Sequence, residues 1–176
     1  NVAVEYRWAE GQTVRLPALA SDLVRRQVAV ITAGGSEALA AANAATATIP
    51  IVFATGGDPV RLGFVASLNR PGGNITGVSF INTDLVTKRL ELLRELKPKV
   101  ATIALFKNPN SPGAEHQVRE LQTAARSLGQ EILVLSTTSE PDFAPAFATL
   151  VQQRVGALIV GSSALFTNYR EQIAAL

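Results

Sequence analysis

Residues 51–59 read Ile51-Val52-Phe53-Ala54-Thr55-Gly56-Gly57-Asp58-Pro59, a short apolar run followed by glycines and helix-capping residues. The pattern recurs where Val28–Ile31 leads into Thr32-Ala33-Gly34-Gly35-Ser36, and where Ile103–Phe106 leads into Asn108-Pro109-Asn110-Ser111-Pro112. A helical pattern follows each turn, which is typical of an α/β protein with a parallel sheet. Ligands of such sheets bind just beyond the carboxyl ends of the strands. These turns therefore predict a small-molecule binding site.

The composition predicts a folded protein with a sizeable core. The 176 residues are 47% hydrophobic and 17% charged, with a net charge of +2. The basic residues are scattered, with the densest groups at Arg25-Arg26 and at Lys97 and Lys99, which argues against a nucleic-acid partner. Cysteine is absent, so there is no disulfide framework and no thiolate chemistry. No apolar run approaches the ~18–20 residues of a transmembrane helix.

Periodicity predicts strands alternating with helices along the whole chain. Strands are expected at 2–8, 28–31, 51–54, 75–80, 101–106, 131–136 and 157–160, and helices at 13–27, 36–46, 59–69, 84–97, 114–128, 143–151 and 165–176. A turn signal at Arg70-Pro71-Gly72-Gly73-Asn74 interrupts the chain near its middle. We therefore expect two doubly wound α/β lobes with parallel sheets, at 1–76 and 77–176. A single continuous sheet is the alternative.

Residues that would support catalysis or cofactor binding are scarce. His116, the single histidine, is flanked by Glu115 and Gln117 and is expected on the polar side of its helix, not as a general base. No cluster of His, Cys or carboxylates has metal-ligand spacing. Gly34-Gly35-Ser36 lacks the third glycine of a dinucleotide loop, and no Gly-Lys-Ser/Thr follows Gly56-Gly57. The sequence therefore predicts no enzyme, no cofactor and no metal.

Neutral donors and acceptors remain at the predicted helix N-termini. Backbone N–H groups at Gly34–Ser36 and Gly56–Gly57 could hold a carboxylate, and Asp58 could pair with a ligand amine. N-capping explains Ser36, Asp58 and Ser111 singly, but together at one sheet edge such residues favour a ligand site. The candidates are Thr32, Gly34, Gly35, Ser36, Thr55, Gly56 and Asp58, then Ser79 and Phe80 at the crossover, then Asn108, Asn110, Ser136 and Ser162.

Aromatic side chains offer fewer candidates. Phe80, Phe166 and Tyr169 lie closest to predicted strand ends and could stack on a ligand ring, with core packing as the alternative for each. Tyr6 and Trp8 follow the alternation of a half-buried strand. Aromatic stacking on a ligand is therefore not required by this sequence.

Four stretches of the chain resemble a known family. Ile51–Val60, Ser67–Val78, Lys88–Leu96 and Asn108-Pro109-Asn110 closely resemble the ABC-transporter substrate-binding family described as tryptophan/tyrosine-type. The likeness spans essentially the whole chain in order, and the run Arg70-Pro71-Gly72-Gly73-Asn74-Ile75-Thr76-Gly77-Val78 is its most specific part. The resemblance implies a type I periplasmic-binding-protein fold, in which two Rossmann-like lobes close on a ligand.

The resemblance also implies a function. It implies a solute-binding component of an ABC importer that is periplasmic or otherwise extracytoplasmic and has a membrane permease as its partner. The solute it implies is an amino acid or a similar small organic molecule, since better-understood members of the family bind aromatic amino acids. It further implies that this chain starts after the family's first strand and helix and stops before the return to the first lobe. The alternatives are the effector-binding core of a transcription regulator and an enzyme on a Rossmann-like fold.

Overall fold

The strands of the protein form two separate parallel sheets. The computed structural model describes residues 2–80, 82 and 85–176. In this part of the chain the first sheet has the order β1-β2-β3 and the second the order β5-β4-β6. The strands are β1 (Ile31–Gly34), β2 (Ile51–Thr55), β3 (Ile75–Ser79), β4 (Thr102–Lys107), β5 (Glu131–Ser136) and β6 (Ala157–Val160). The prediction of an α/β fold with parallel sheets is confirmed, since every strand pairing is parallel.

Helices connect most of the consecutive strands, as parallel pairing requires a crossover. They are α1 (Leu16–Arg25), α2 (Ser36–Ala45), α3 (Val86–Leu96), α4 (Ala114–Ser127), α5 (Phe143–Gln152), α6 (Ala164–Asn168) and α7 (Arg170–Ala175). Short 3₁₀ turns, Thr13–Arg15 and Glu140–Asp142, precede α1 and α5. The predicted helix start at Asp84 lies outside the described residues, and the predicted division into lobes 1–76 and 77–176 stays a prediction.

The second sheet is covered on both faces. Its central strand β4 is buried from Ile103 to Phe106, with no residue more than 1% exposed. Ile103 and Leu105 pack with Leu90 of α3 and Leu121 of α4. Phe106 packs on the opposite face with the cluster that contains α5 and α6. Burial of each such side chain contributes about 1.5–3 kcal/mol. The second sheet, with a buried cluster on each face, therefore has the larger core.

The first sheet is covered on one face only within the described residues. Ile31, Ile51 and Ile75, which are partners in the strand register, pack with Leu39 of α2. The alternate residues point the other way, and Val52 is 41% exposed.

The predicted N-terminal strand at 2–8 was wrong. No strand forms there, and Tyr6 and Trp8 are exposed and stacked on each other, with ring centroids 6.0 Å apart. Alternation produces a strand only where a sheet edge supplies hydrogen bonds. Here the segment is held by Arg7 instead, whose guanidinium donates to Asp22 of α1 at 2.6 Å.

The predicted helix at 59–69 was also wrong, although its start behaves as expected. Asp58 Oδ1 accepts from the backbone N–H groups of Val60 and Arg61 at 2.9 and 3.2 Å, as a capping carboxylate does. Gly63 then takes a φ of +75°, which a helix does not allow, and the chain continues as turns. Local capping therefore gives one turn and no helix.

Smaller corrections concern boundaries and faces. The strand expected at 28–31 begins at Ile31 and runs to Gly34, because its pairing with β2 starts at Ile51. Val151, an apolar residue near the end of α5, is 77% exposed. The helix expected at 165–176 is broken at Tyr169, whose ring packs on that of Phe143 at 5.7 Å.

Two predicted N-caps were wrong as well. The residues before α2 and α4 are glycines with positive φ, Gly35 at +89° and Gly113 at +82°. Ser36 and Ser111 direct their hydroxyls to other partners instead, as described below.

Candidate functional site

The carboxyl ends of the two sheets face each other and touch. A Cβ built on Gly56, which follows β2, would lie 3.1 Å from Ser162 Oγ, which follows β6. The Leu62 side chain lies against Gly113, at 3.7 Å from a Cβ built there. Arg61 Nη1 contacts His116 Nε2 on α4. We call these contacts, together with that of Glu37 described next, the seam.

Glu37 makes two hydrogen bonds across the seam. It lies in the first turn of α2 and is 8% exposed. Its Oε1 accepts from Ser163 Oγ and from the backbone N–H of Ala164, both at 3.3 Å. A carboxylate on α2, which packs on the first sheet, thus binds the start of α6, which packs on the second sheet. We call the first sheet with α1 and α2 the first half of the molecule, and the second sheet with its helices the second half.

Hydroxyl groups fix the turn after β2. Ser36 Oγ and Thr55 Oγ1 lie 2.6 Å apart and share a buried hydrogen bond. Thr55 Oγ1 also accepts from the backbone N–H of Gly57 at 3.2 Å, and Ser79 Oγ donates to the Gly57 carbonyl at 2.7 Å. Thr55 and Ser79 therefore hold Gly57 just beyond the ends of β2 and β3, and Ser36 fixes the Thr55 hydroxyl.

A second network fixes the turns after β4 and β6. Asn108 Nδ2 donates to Ser163 Oγ at 2.9 Å, and Asn108 Oδ1 accepts from the N–H of Asn110 at 3.0 Å. Ser111 Oγ donates to the carbonyl of Ser162 at 3.1 Å. Ser163 caps α6 by accepting from Leu165 N–H. The network therefore joins the end of β4 to Glu37 through Ser163.

A cavity of about 310 Å³ lies at the seam. It is bounded by the turn after β2 and by the first two turns of α4, and its lining combines apolar and charged groups: Gly57, Asp58, Arg61, Leu62, Ser111, Gly113, Ala114, Glu115, His116 and Arg119. Its size falls at the lower end of the range of ligand pockets, about 300–1,000 Å³.

The two carboxylates of the cavity are already engaged. Asp58 caps its own turn, and its Oδ2 lies 3.6 Å from Arg61 Nη2. Glu115 accepts from Lys107 Nζ at 2.6 Å, and this hydrogen bond is the main reason that the pKa of Glu115 lies below its usual value. Asp58 is therefore less available to a ligand amine than its sequence position suggests.

Several predicted site residues lie away from the cavity. Of the thirteen candidates, Asp58 is the one that lines it. Six others lie at the seam or in the hydrogen-bond networks beside it: Gly56, Ser36, Thr55, Ser79, Asn108 and Ser162. Gly35 caps α2, and Asn110 is exposed at the turn after β4. Thr32, Gly34, Phe80 and Ser136 are exposed and make no seam contact among the interactions described.

The seam also contains residues that the sequence reasoning missed. Glu37 follows Ser36 and has the ordinary appearance of an acidic residue in a first helical turn. Ser163 could have been found, since it is the last serine before an apolar helical run. His116 was expected on a polar surface, yet it lies half-buried in the cavity wall.

Two further findings concern metal binding and membrane crossing. Over the described ranges, no group of three or more His, Cys, Asp or Glu residues is arranged to hold a metal ion. Among the same residues, no helix has the length and apolarity needed to cross a bilayer.

Comparison with known proteins gives consistent matches. A tyrosine-binding protein of Clostridioides difficile (strain R20291) is 30% identical over 152 residues, which cover 86% of this chain and 43% of that protein. Among solved structures, an ABC domain from Streptococcus pneumonia in complex with L-Trp has a TM-score of 0.85 at 23% identity, covering 99% of this chain and 59% of that one. A conserved domain protein from Vibrio cholerae has a TM-score of 0.79 at 26% identity, covering 90% and 52%.

The family model for ABC transporter substrate binding proteins matches residues 1–174, almost the whole chain. The chain spans about half the length of the relatives and structures that it matches. On this evidence the chain belongs to the ABC transporter substrate-binding protein family.

Proposed function

We propose that this chain is part of the solute-binding component of an ABC importer, and that the complete component binds an amino acid or a similar small organic solute without catalysis. Its family membership supports the role. A tyrosine-binding relative and a structural neighbour in complex with L-Trp support an aromatic amino acid as the solute. The same role implies an extracytoplasmic location and a membrane permease as partner.

The observation that carries this proposal is the cavity between the two sheet edges. Open α/β sheets bind ligands beyond the carboxyl ends of their strands, and here two such edges border one cleft of about 310 Å³. Leu62 and Ala114 supply apolar surface in its wall, while Ser111 and Arg119 supply polar groups. Such a mixed lining suits a solute with an apolar side chain and a charged end.

The proposed mechanism is closure of two lobes, at 1–76 and 77–176, around the solute. A solute that contacts both edges binds the closed arrangement more tightly than the open one and so shifts the population toward it. Within the predicted set, Asp58 is the residue we propose to lie nearest the solute, since it lines the cavity. Ser36, Thr55, Ser79 and Asn108 would act by holding the turns that form its walls.

Calorimetry on the complete protein tests this proposal. We expect tight binding of one solute from a panel that includes L-tryptophan, L-tyrosine and L-leucine, and weak or no binding by the 176-residue chain alone. Leu62→Trp places an indole in the cavity and should abolish binding, whereas Leu68→Trp, at a side chain 64% exposed, should leave it unchanged.

Two results would contradict the proposal. Failure of the complete protein to bind any amino acid of the panel would refute the solute class. Full affinity in Leu62→Trp would refute the cavity as the site.

A further inference from the structure

We propose that Glu37 is a closure latch, a carboxylate that favours the closed arrangement of the two halves before any solute binds. The inference rests on the proposed closure of a solute cleft, and it concerns an intramolecular contact, not a ligand contact. The latch consists of Glu37 on α2 and of Ser163 and Ala164 at the start of α6.

The first argument is the burial of the charge. Glu37 is 8% exposed, and no ion pair of Glu37 occurs among the residues that the structure describes. An unpaired carboxylate is costly to remove from water unless hydrogen-bond donors replace the water. The donors that replace it here belong to the other half of the molecule, 126 and 127 residues away in sequence.

The second argument is that the donors are held in place. Ser163 is 8% exposed, and its hydroxyl oxygen accepts hydrogen bonds from Asn108 Nδ2 at 2.9 Å and from Leu165 N–H at 3.2 Å. Its hydroxyl hydrogen therefore remains for Glu37, because its oxygen already accepts two bonds. A donor fixed in this way loses little conformational freedom when the carboxylate arrives.

The third argument concerns what separation of the halves would do. Opening the seam would expose both Glu37 and the Ala164 N–H to water. Each contact therefore stabilises the closed arrangement only by the difference in free energy between a hydrogen bond within the protein and one to water. Bonds to a charged acceptor are about twice as strong as neutral ones when they are about 2.7–2.9 Å long, and the two bonds of Glu37, at 3.3 Å, are longer and individually weaker. The latch is therefore strong enough to bias an equilibrium and weak enough to leave it reversible.

Distance measurements on the solute-free complete protein test the latch. The sequence given contains no cysteine, so Asn43→Cys on α2 and Glu120→Cys on α4 supply one spin label on each half, both at exposed positions. Pulsed electron resonance then gives the fractions of closed and open molecules.

We expect Glu37→Ala to lower the ratio of closed to open molecules about tenfold, which corresponds to about 1.4 kcal/mol. Glu37→Gln keeps an oxygen acceptor but loses the charge, so its ratio should fall about threefold. Glu171→Gln, at a side chain 88% exposed, is the matched control and should match the unsubstituted protein. If Glu37→Ala does not fold, Glu37→Gln decides alone.

Unchanged distance distributions in the Glu37 variants would overturn the latch. If the distributions shift while L-tryptophan and L-tyrosine fail to bind, the latch stands and the proposed solute class fails. If these solutes bind and the distributions do not shift, the proposed function stands and the latch fails.

Discussion

Gly77 in the middle of β3 is the position where a single methyl group should do the most damage to the first sheet. A Cβ built there would lie 2.1 Å from the backbone oxygen of Phe53 and 2.7 Å from its backbone nitrogen. Phe53 is the register partner of Gly77 on β2. The conflict is with backbone, so no side-chain rotation can relieve it.

The magnitude follows from these distances. To reach an ordinary contact, the two strands must separate by about 1 Å, which takes neighbouring N–H···O bonds beyond their working range of about 2.7–3.2 Å. Overpacking costs about 1–3 kcal/mol, and each weakened ladder bond adds about 0.5–1.5 kcal/mol. We expect Gly77→Ala to lower the free energy of unfolding by about 3 kcal/mol in urea titrations of the complete protein.

Gly73→Ala is the control for this prediction. A Cβ at Gly73 meets nothing within 4 Å, and its φ is not in the left-handed region. Alanine there should be neutral or should stabilise by about 0.4–1 kcal/mol, because it restricts the unfolded chain. The reasoning is refuted if the two variants differ by less than about 1 kcal/mol, the typical effect of an unremarkable substitution.

Further substitutions test other parts of the molecule. Phe143→Ala empties a fully buried site and should cost about 3–5 kcal/mol in urea unfolding, whereas Phe80→Ala, at a side chain 65% exposed, should change little. Asp22 has its pKa lowered to about 2, chiefly by its hydrogen bond from Arg7. Its stabilising effect is therefore complete above its unfolded pKa of about 3.9 and is lost as the pH falls toward 2. Asp22→Asn should flatten the pH dependence of unfolding in that range, and an unchanged slope would contradict the assignment. Lys107→Met should raise the pKa of Glu115 toward its usual value, as followed by carboxyl NMR titration.

The sequence predicts strands well where an uninterrupted apolar run lies between two turn signals. The elements at 131–136 and 157–160 were predicted at the observed bounds, and that at 51–54 to within one residue, because an uninterrupted apolar run between turn signals suits a parallel strand. Asp58-Pro59 carries an equally strong local signal for a helix. There the positive φ of Gly63 ends the helical turn, and a single sequence does not reveal which sign the φ of a glycine will have.

The candidate site was less accessible to sequence reasoning for a different reason. The strand-end rule places Gly56 at the carboxyl edge of the first sheet and Ser162 at the carboxyl edge of the second, but it says nothing of how the two sheets meet. The partner of an individual side chain depends on the three-dimensional approach of the two halves. Glu37 and Ser163 are 126 residues apart, and neither the composition nor the periodicity of the chain relates them.

The stacked pair of Tyr6 and Trp8 determines how this protein can be observed in solution. Trp8 is the single tryptophan of the sequence given, is 70% exposed, and lies on a segment that does not line the cavity. Its fluorescence therefore monitors the N-terminal segment, and a solute entering the cavity can be spectroscopically silent. An emission change on adding a non-absorbing solute would instead signal that closure is transmitted to that segment. The variant that fills the cavity, Leu62→Trp, places a second fluorophore where the natural sequence has none.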